Sequence, residues 1–161
     1  MLTSLSRMIG MPVIWQDQNL GYVERALPDI SAGRLDGLSV RKGIGWARWI
    51  CGGDVKLLGS RCVVLAKKPE RMPRKAEREL RRAFLTTGEC AGEVTDVIID
   101  GCSLAVAALE ICQGPFCRLA GERRYAPEFH LNPNGEAGEV VIPQLLSWTQ
   151  LTKHFEEEDE E

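Results

Sequence analysis

One constant offset ties two stretches of this 161-residue chain together. A shift of 71 positions, without a gap, carries Gly21 onto Gly92, Val23 onto Val94, Asp29 onto Asp100, Leu35 onto Val106, Leu38 onto Leu109, Val40 onto Ile111 and Gly43 onto Gly114. Turn residues and apolar residues stay in step while the polar positions between them drift. That is the pattern of one backbone written twice with its core and turns retained. Val63, Val64 and Leu65 recur as Val140, Val141 and Ile142 at an offset of 77, so the second copy has gained six residues, which we assign to RRYAPEFHLNPNGEAG.

The repeat favours two units of roughly 70 to 80 residues over a single domain. Units that small bury only about 60% of their unfolded surface, so each is expected to lean on its twin or on a partner. The boundaries that follow are residues 1–68 for the first copy, 69–85 for a linker, 86–155 for the second copy with its inserted loop, and 156–161 for an acidic tail. A content of 44% hydrophobic and 27% charged residues is ordinary for a globular chain. No apolar run approaches the roughly 18 residues that span a bilayer, and MLTSLSRMIGMPVIW lacks the h-region of a signal peptide. The expectation is a cytoplasmic protein without an integral membrane segment.

Within each copy the pattern reads as short strands. YVERAL is followed by the turn pair Pro28 and Asp29, and RLDGLSV resumes with apolar residues at nearly alternate positions. Proline cannot donate to a ladder, so the first strand should end at Pro28 or run along an edge. EVTDVII, the turn DGCS and LAVAALEI repeat the hairpin more strongly, and the small residues Gly37 and Ala108 suit a bulge or tight bend. Asn134 and Gly135 mark a later hairpin before EVVIP. Between the copies, Met72, Ala76, Leu80 and Phe84 lie four apart, which predicts an amphipathic helix over residues 73–84. A second, shorter helix is expected after Pro143, where Leu145, Trp148, Leu151 and Phe155 approximate helical spacing. EEEDEE then closes the chain as a disordered tail.

These residues resemble the PRC-barrel superfamily in a tandem arrangement. The likeness rests on Ser6 to Gly10, Leu20 to Val23, Asp29, Gly33 to Val40 and Asp54 to Gly59 leading into Cys62 to Leu65. In the second copy it rests on Ala91 to Val94, Asp100, Leu104 to Ile111 and Val140 to Ile142. The resemblance implies a mainly β chain of two small β-barrels joined by the amphipathic helix, similar in use to the reaction-centre H subunit's cytoplasmic domain and to the C-terminal domain of the ribosome maturation factor RimM. In those settings the barrel docks and does not catalyse, so the resemblance implies no enzyme and no cofactor. The second copy departs from the motif at Leu104 and Ala108, where the first has Gly33 and Gly37.

Candidate chemistry is sparse. His130 and His154 have no neighbouring pattern that makes a triad or metal site. Asp29 and Asp100 read as turn caps rather than general acids. The six cysteines contain no C-x-x-C pair, the nearest spacing being Cys112 to Cys117, and they read as free structural thiols, with metal binding or a disulfide as alternatives.

Two surfaces stand out instead. From Lys67 to Arg82 eight basic residues face three acidic ones, so Arg71, Arg74, Lys75, Arg78 and Arg82 form a candidate phosphate or acidic-partner patch on the linker. Its plain alternative is a solvated helix face. The second is WARW, where Trp46, Arg48 and Trp49 occur together with no counterpart evident in copy two; both Trp and Arg are frequent at interface hot spots, although Trp is also ordinary core material. Phe129 and His130, in the inserted loop, join this partner-binding set. The leading expectation is a non-enzymatic adaptor with a protein partner and room for homodimerisation. An RNA- or ribosome-associated factor using the basic linker is the first alternative, and a cysteine-based metal or redox protein the second.

Overall fold

The repeat in sequence becomes a repeat in sheet topology. The structure, a computed structural model, describes residues 1–70, 80–114, 119 and 122–158. Its elements run β1 (Leu2–Ser4), α1 (Leu5–Met8), β2 (Pro12–Trp15), β3 (Gln18–Asp29), β4 (Arg34–Arg41), β5 (Arg48–Cys51), a 3-10 turn (Gly52–Asp54), β6 (Val55–Leu58) and β7 (Val63–Leu65). They continue with β8 (Arg82–Leu85), β9 (Cys90–Asp100), β10 (Val106–Cys112), β11 (Arg123–Ala126), β12 (His130–Leu131), β13 (Glu139–Ile142) and α2 (Trp148–Glu158). One sheet has the order β5-β4-β3-β2-β7-β6 and the other β11-β10-β9-β8-β13-β12, with β1 added against β9. Position by position the two orders are the same.

The registers agree as closely. Pro12, Val13 and Ile14 pair with Tyr22, Gly21 and Asn19, with a bulge after Val13. Arg82, Ala83 and Phe84 pair with Glu93, Gly92 and Cys90, with the bulge after Ala83. In each sheet the only parallel pair among the described strands is β2 with β7 and β8 with β13, and Val13 opposite Val63 matches Ala83 opposite Val140. The tight turn between β2 and β3 uses Gln16 and Asp17 at positive φ, whereas the β8–β9 turn is one residue longer and ends on Gly88 at φ 92°. Short hairpin turns require such left-handed positions.

Gly21 and Gly92 show why glycine is kept at this point in both copies. Each lies at a positive φ, 133° and 142°. A Cβ on Gly21 would stand 2.6 Å from the carbonyl oxygen of Arg41, and one on Gly92 would strike the carbonyl oxygen of Cys112. Neither backbone can retreat without breaking its ladder. Gly37 is held small for a different reason, because its Cβ would run into the indole of Trp49 and stand 2.5 Å from the carbonyl oxygen of Ile50. Its counterpart Ala108 carries one methyl more, and in the second sheet the place of Trp49 is taken by the smaller Tyr125, opposite Glu110 as Trp49 is opposite Ser39.

The chain divides into two units, Met1–Glu77 with Ile98–Ala107, and Arg78–Val97 with Ala108–Glu161. The first unit buries Met8, Val13, Val23, Leu38, Ile50, Leu58 and Val63, and the second Ala83, Leu109, Ile111, Val140, Ile142 and Leu151. The first unit also contains the end of the β9–β10 hairpin. There Leu2, Thr3 and Ser4 pair with Asp100, Ile99 and Ile98. Arg34 bridges Ala105, its own equivalent at the offset of 71, with Leu35 N donating to Leu104 O at 2.9 Å and Val106 N to Gly33 O at 2.8 Å.

Several expectations are corrected here. Two closed barrels do not form among the described strands, whose paths stay open in both sheets, and Arg82–Leu85, assigned to the end of the linker, is the strand β8. Ala83 and Phe84 are adjacent and alternate across a strand, and β8 must occupy the place that β2 holds in the first sheet. The second repeat therefore begins before residue 86; residues 71–79, and with them most of the expected helix, lie outside the described residues. β3 does not stop at Pro28. It continues one residue to Asp29 opposite β4, with a register shift between Leu27 and Pro28; β2 pairs only with Gln18 to Tyr22, so among the described strand pairings the proline has β4 on one side alone, the edge position expected for it. The C-terminal helix forms, with Ser147 Oγ accepting from Gln150 N at 3.3 Å and Gln150 Oε1 from Ser147 N at 2.8 Å, a reciprocal cap. It runs through Glu158, so the acidic stretch is helical in its first three residues. The hairpin at Asn134 and Gly135 joins β12 to β13 as expected.

Replacing Gly92 by Ala should lower stability by about 1–3 kcal/mol, the cost of forcing a side chain into this backbone region. Urea unfolding measures it, and an unchanged midpoint would contradict the close approach to Cys112. Gly37→Ala should cost a similar amount, roughly 1–3 kcal/mol, by displacing the Trp49 indole.

Candidate functional site

The sheet register separates the WARW residues into two kinds. Arg48, Trp49 and Ile50 pair with Val40, Ser39 and Leu38, while Arg124, Tyr125 and Ala126 pair with Ile111, Glu110 and Leu109. Since Ser39 and Glu110 are equivalent positions, Arg48 and Trp49 do have counterparts in the second copy, namely Arg124 and Tyr125. The offset of 76 hid them from a comparison at 71. Trp49 is 4% exposed and belongs to the core. Trp46 is 99% exposed, and Ile44, two residues earlier, is exposed in full.

These two side chains ride on the six-residue connection between β4 and β5, and its base is tied down at several points. Arg41 donates from Nη1 to the carbonyl oxygen of Gly45 at 2.6 Å and from Nε to Glu24 Oε1 at 2.9 Å. The same guanidinium pairs with Glu24 through Nη2 at 2.9 Å. Lys42 Nζ donates to Asn19 O at 3.1 Å. Across β3 and β4, Tyr22 stands opposite Arg41 and is half exposed. A loop so anchored presents its tip without first having to be ordered.

The Glu24 carboxyl is held below its ordinary value, first by the hydrogen bond from Arg41, against some desolvation, and then by the charge of Arg41 and a bond from Ser39. Ser39 Oγ reaches Glu24 Oε2 at 3.4 Å. In the second sheet the same two positions carry Thr95 and Glu110, with Thr95 Oγ1 donating to Glu110 Oε1 at 2.8 Å. The hydroxyl and the carboxylate have changed places across the hairpin. Glu110 is consequently buried on the strand where Ser39 was, and it is met by Tyr125 Oη at 3.5 Å and Arg123 Nη1 at 3.7 Å. Tyr125 stacks edge-on with Trp148 at 5.2 Å, so the start of α2 lies beside this aromatic position.

The remaining sequence candidates are scattered. Phe129 is half buried and His130 exposed on β12, both in the unit that does not contain the Trp46 loop. Arg82 is exposed on β8 opposite Glu93, and Arg71, Arg74, Lys75 and Arg78 lie outside the described residues. Asp29 and Asp100 cap their turns as expected, accepting from Ala32 N at 3.0 Å and Cys102 N at 2.7 Å. His154 sits on α2, 3.6 Å from Glu158. Cys51, Cys62, Cys90 and Cys102 are free thiols, whereas Cys112 is disulfide-bonded, which corrects the expectation of a free thiol there; Cys117 lies outside the described residues. Among the described residues no three His, Cys, Asp or Glu side chains gather where a metal ion could sit. An open groove of about 230 Å³ beside Phe84, Thr86, Asn132 and Glu139 is smaller than the roughly 300 Å³ at which small-molecule sites begin. No protein-family profile matches the chain, and no curated protein matches it.

Sequence reasoning found Trp46 but missed Ile44, Arg41 and Glu24. Ile44 stands between Gly43 and Gly45, where no apolar period marks it, and nothing local marks Arg41 as the anchor, because its partners come from β3 and from four residues ahead.

The two tryptophans should separate cleanly. Trp49→Ala is expected to cost about 3–5 kcal/mol, and Trp46→Ala less than about 0.5 kcal/mol, in parallel denaturant titrations. The pH dependence has a definite sign: a carboxyl whose folded value is depressed stabilises fully above its unfolded value and loses that stabilisation as pH falls through the folded one. Thermal melts from neutral pH towards pH 3 should therefore show a shallower acid decline in Glu24→Gln than in the parent.

Proposed function

We propose that the protein is a cytoplasmic, non-enzymatic adaptor that works by binding geometry, with the loop of residues 41–48 as its docking element. The observation that carries this reading is the full exposure of Ile44 and Trp46 on a connection pinned by Arg41 and Lys42. Leaving a Trp and an Ile in water forgoes roughly 1.5–3 kcal/mol of burial each, a sacrifice that nothing in the fold of this unit requires. Large aromatic side chains presented from a preformed base are what anchor residues look like before their partner arrives. A docking role is also what the PRC-barrel resemblance of the repeated segments implies.

The test is retention of the labelled chain by soluble and membrane fractions of the native cell, each with and without nuclease. At least one fraction should hold the parent protein and release the Ile44→Ser/Trp46→Ser double variant, with nuclease making no difference. Equal retention of parent and double variant would remove the loop from the interface. Loss on nuclease treatment would point to the nucleic-acid alternative instead.

A further inference from the structure

We infer that the partner of this loop is an anionic phospholipid surface, into which Ile44 and Trp46 dip while the loop's base rests on the headgroups. The inference rests on the docking reading above and names its target. Residues 41–48 read RKGIGWAR, with Arg41, Lys42 and Arg48 bracketing the two apolar side chains and no Asp or Glu among them. The charge is thus arranged in depth: the apolar side chains are at the tip, while Arg41 and Arg48 end β4 and begin β5, at the foot. Glu24, the carboxylate at that foot, is engaged by Arg41 and Ser39.

Such a layering matches the layering of a bilayer interface. Trp prefers the headgroup level, where an amphipathic ring has one end apolar and the other wet, and Lys and Arg just outside it are drawn to anionic lipid. A protein hot spot is usually a Trp seated in a pocket within a rim of both charge signs. Here Ile44 and Trp46 project from a loop whose charged residues are all of one sign, which suits a soft anionic plane better than a shaped cleft. Two side chains and a net charge of 3 − 1 = +2, from Arg41, Lys42 and Arg48 less the Glu24 that Arg41 holds, make a reversible, salt-sensitive contact, well short of the permanence of a spanning helix.

The experiment is co-sedimentation of the full chain with unilamellar vesicles of phosphatidylcholine alone, or with about a third phosphatidylglycerol, at low and high salt. The parent should sediment with the anionic vesicles, at least about tenfold more weakly with neutral ones, and lose binding as salt rises. Ile44→Ser/Trp46→Ser should weaken anionic binding by about tenfold or more, and these exposed positions leave the fold intact. Trp46→Phe should still bind while losing the blue shift of tryptophan emission that accompanies insertion. Absence of binding to anionic vesicles at low salt, equal binding to neutral ones, or binding unchanged in the double variant would each overturn the proposal. If vesicles fail while a soluble cell fraction still retains the parent and releases the double variant, the lipid assignment falls and the docking loop stands; if both fail, both readings fall.

Discussion

Each sheet is organised around a place where two backbones pass too closely for any side chain. At Gly21 the neighbouring chain is the carbonyl of Arg41, and at Gly92 it is the carbonyl of Cys112. The close passage lies beside the bulge at Leu20 in β3 and at Ala91 in β9, near the start of the long hairpin strand in both copies. With that geometry set, the same six-strand order is reached twice, including the parallel pair that would otherwise be unexpected among short neighbouring strands. In the first copy the carbonyl concerned belongs to Arg41, the residue that also anchors the exposed loop. Scaffold and candidate site therefore meet in one residue.

The two copies differ by exchange more than by loss. The glycine under a tryptophan becomes an alanine while the tryptophan's place in the register passes to a tyrosine, and a carboxylate on β3 bonded to a hydroxyl on β4 becomes a hydroxyl on β9 bonded to a carboxylate on β10. The second exchange alters the electrostatics. Glu24 remains partly in water, where Arg41 can use it as a hinge post for the loop, whereas Glu110 is buried and needs a phenol and a guanidinium as well as Thr95. What varies is the direction in which each unit offers its charge.

Much of the fold was legible because glycine, turn and apolar spacing report directly on backbone and core: the repeat, both long hairpins, the Asn134–Gly135 turn and the C-terminal helix all follow from local pattern. β8 was not, since Met72, Ala76, Leu80 and Phe84 supply a helical period that overrides the two-residue alternation of a four-residue strand; only the need to fill the slot of β2 identifies it. Arg48 and Trp49 look unmatched at an offset of 71 because five residues added between β10 and β11, ahead of RRYAPEFHLNPNGEAG where the sequence placed the gain, raise the offset to 76, and pairing across the sheet is what restores their partners Arg124 and Tyr125. For the candidate site, Trp46 could be singled out from composition, but its exposure, against the burial of Trp49 three residues on, depends on which one enters β5. That is a property of strand register and cannot be read from either tryptophan.

The bridge between Arg34 and Ala105 has a further meaning. The two hydrogen bonds that flank it, Leu35 to Leu104 and Val106 to Gly33, are one and the same bond once the copies are superposed in sequence, since 35 corresponds to 106 and 104 to 33. A contact in which position i meets j while j meets i is isologous, the kind of self-matching patch that joins identical subunits. Here it is written inside a single chain. A segment that already fits a duplicate of itself requires no new complementary surface after duplication, only a connection of sufficient length, and the residues around it are then free to diverge in pairs.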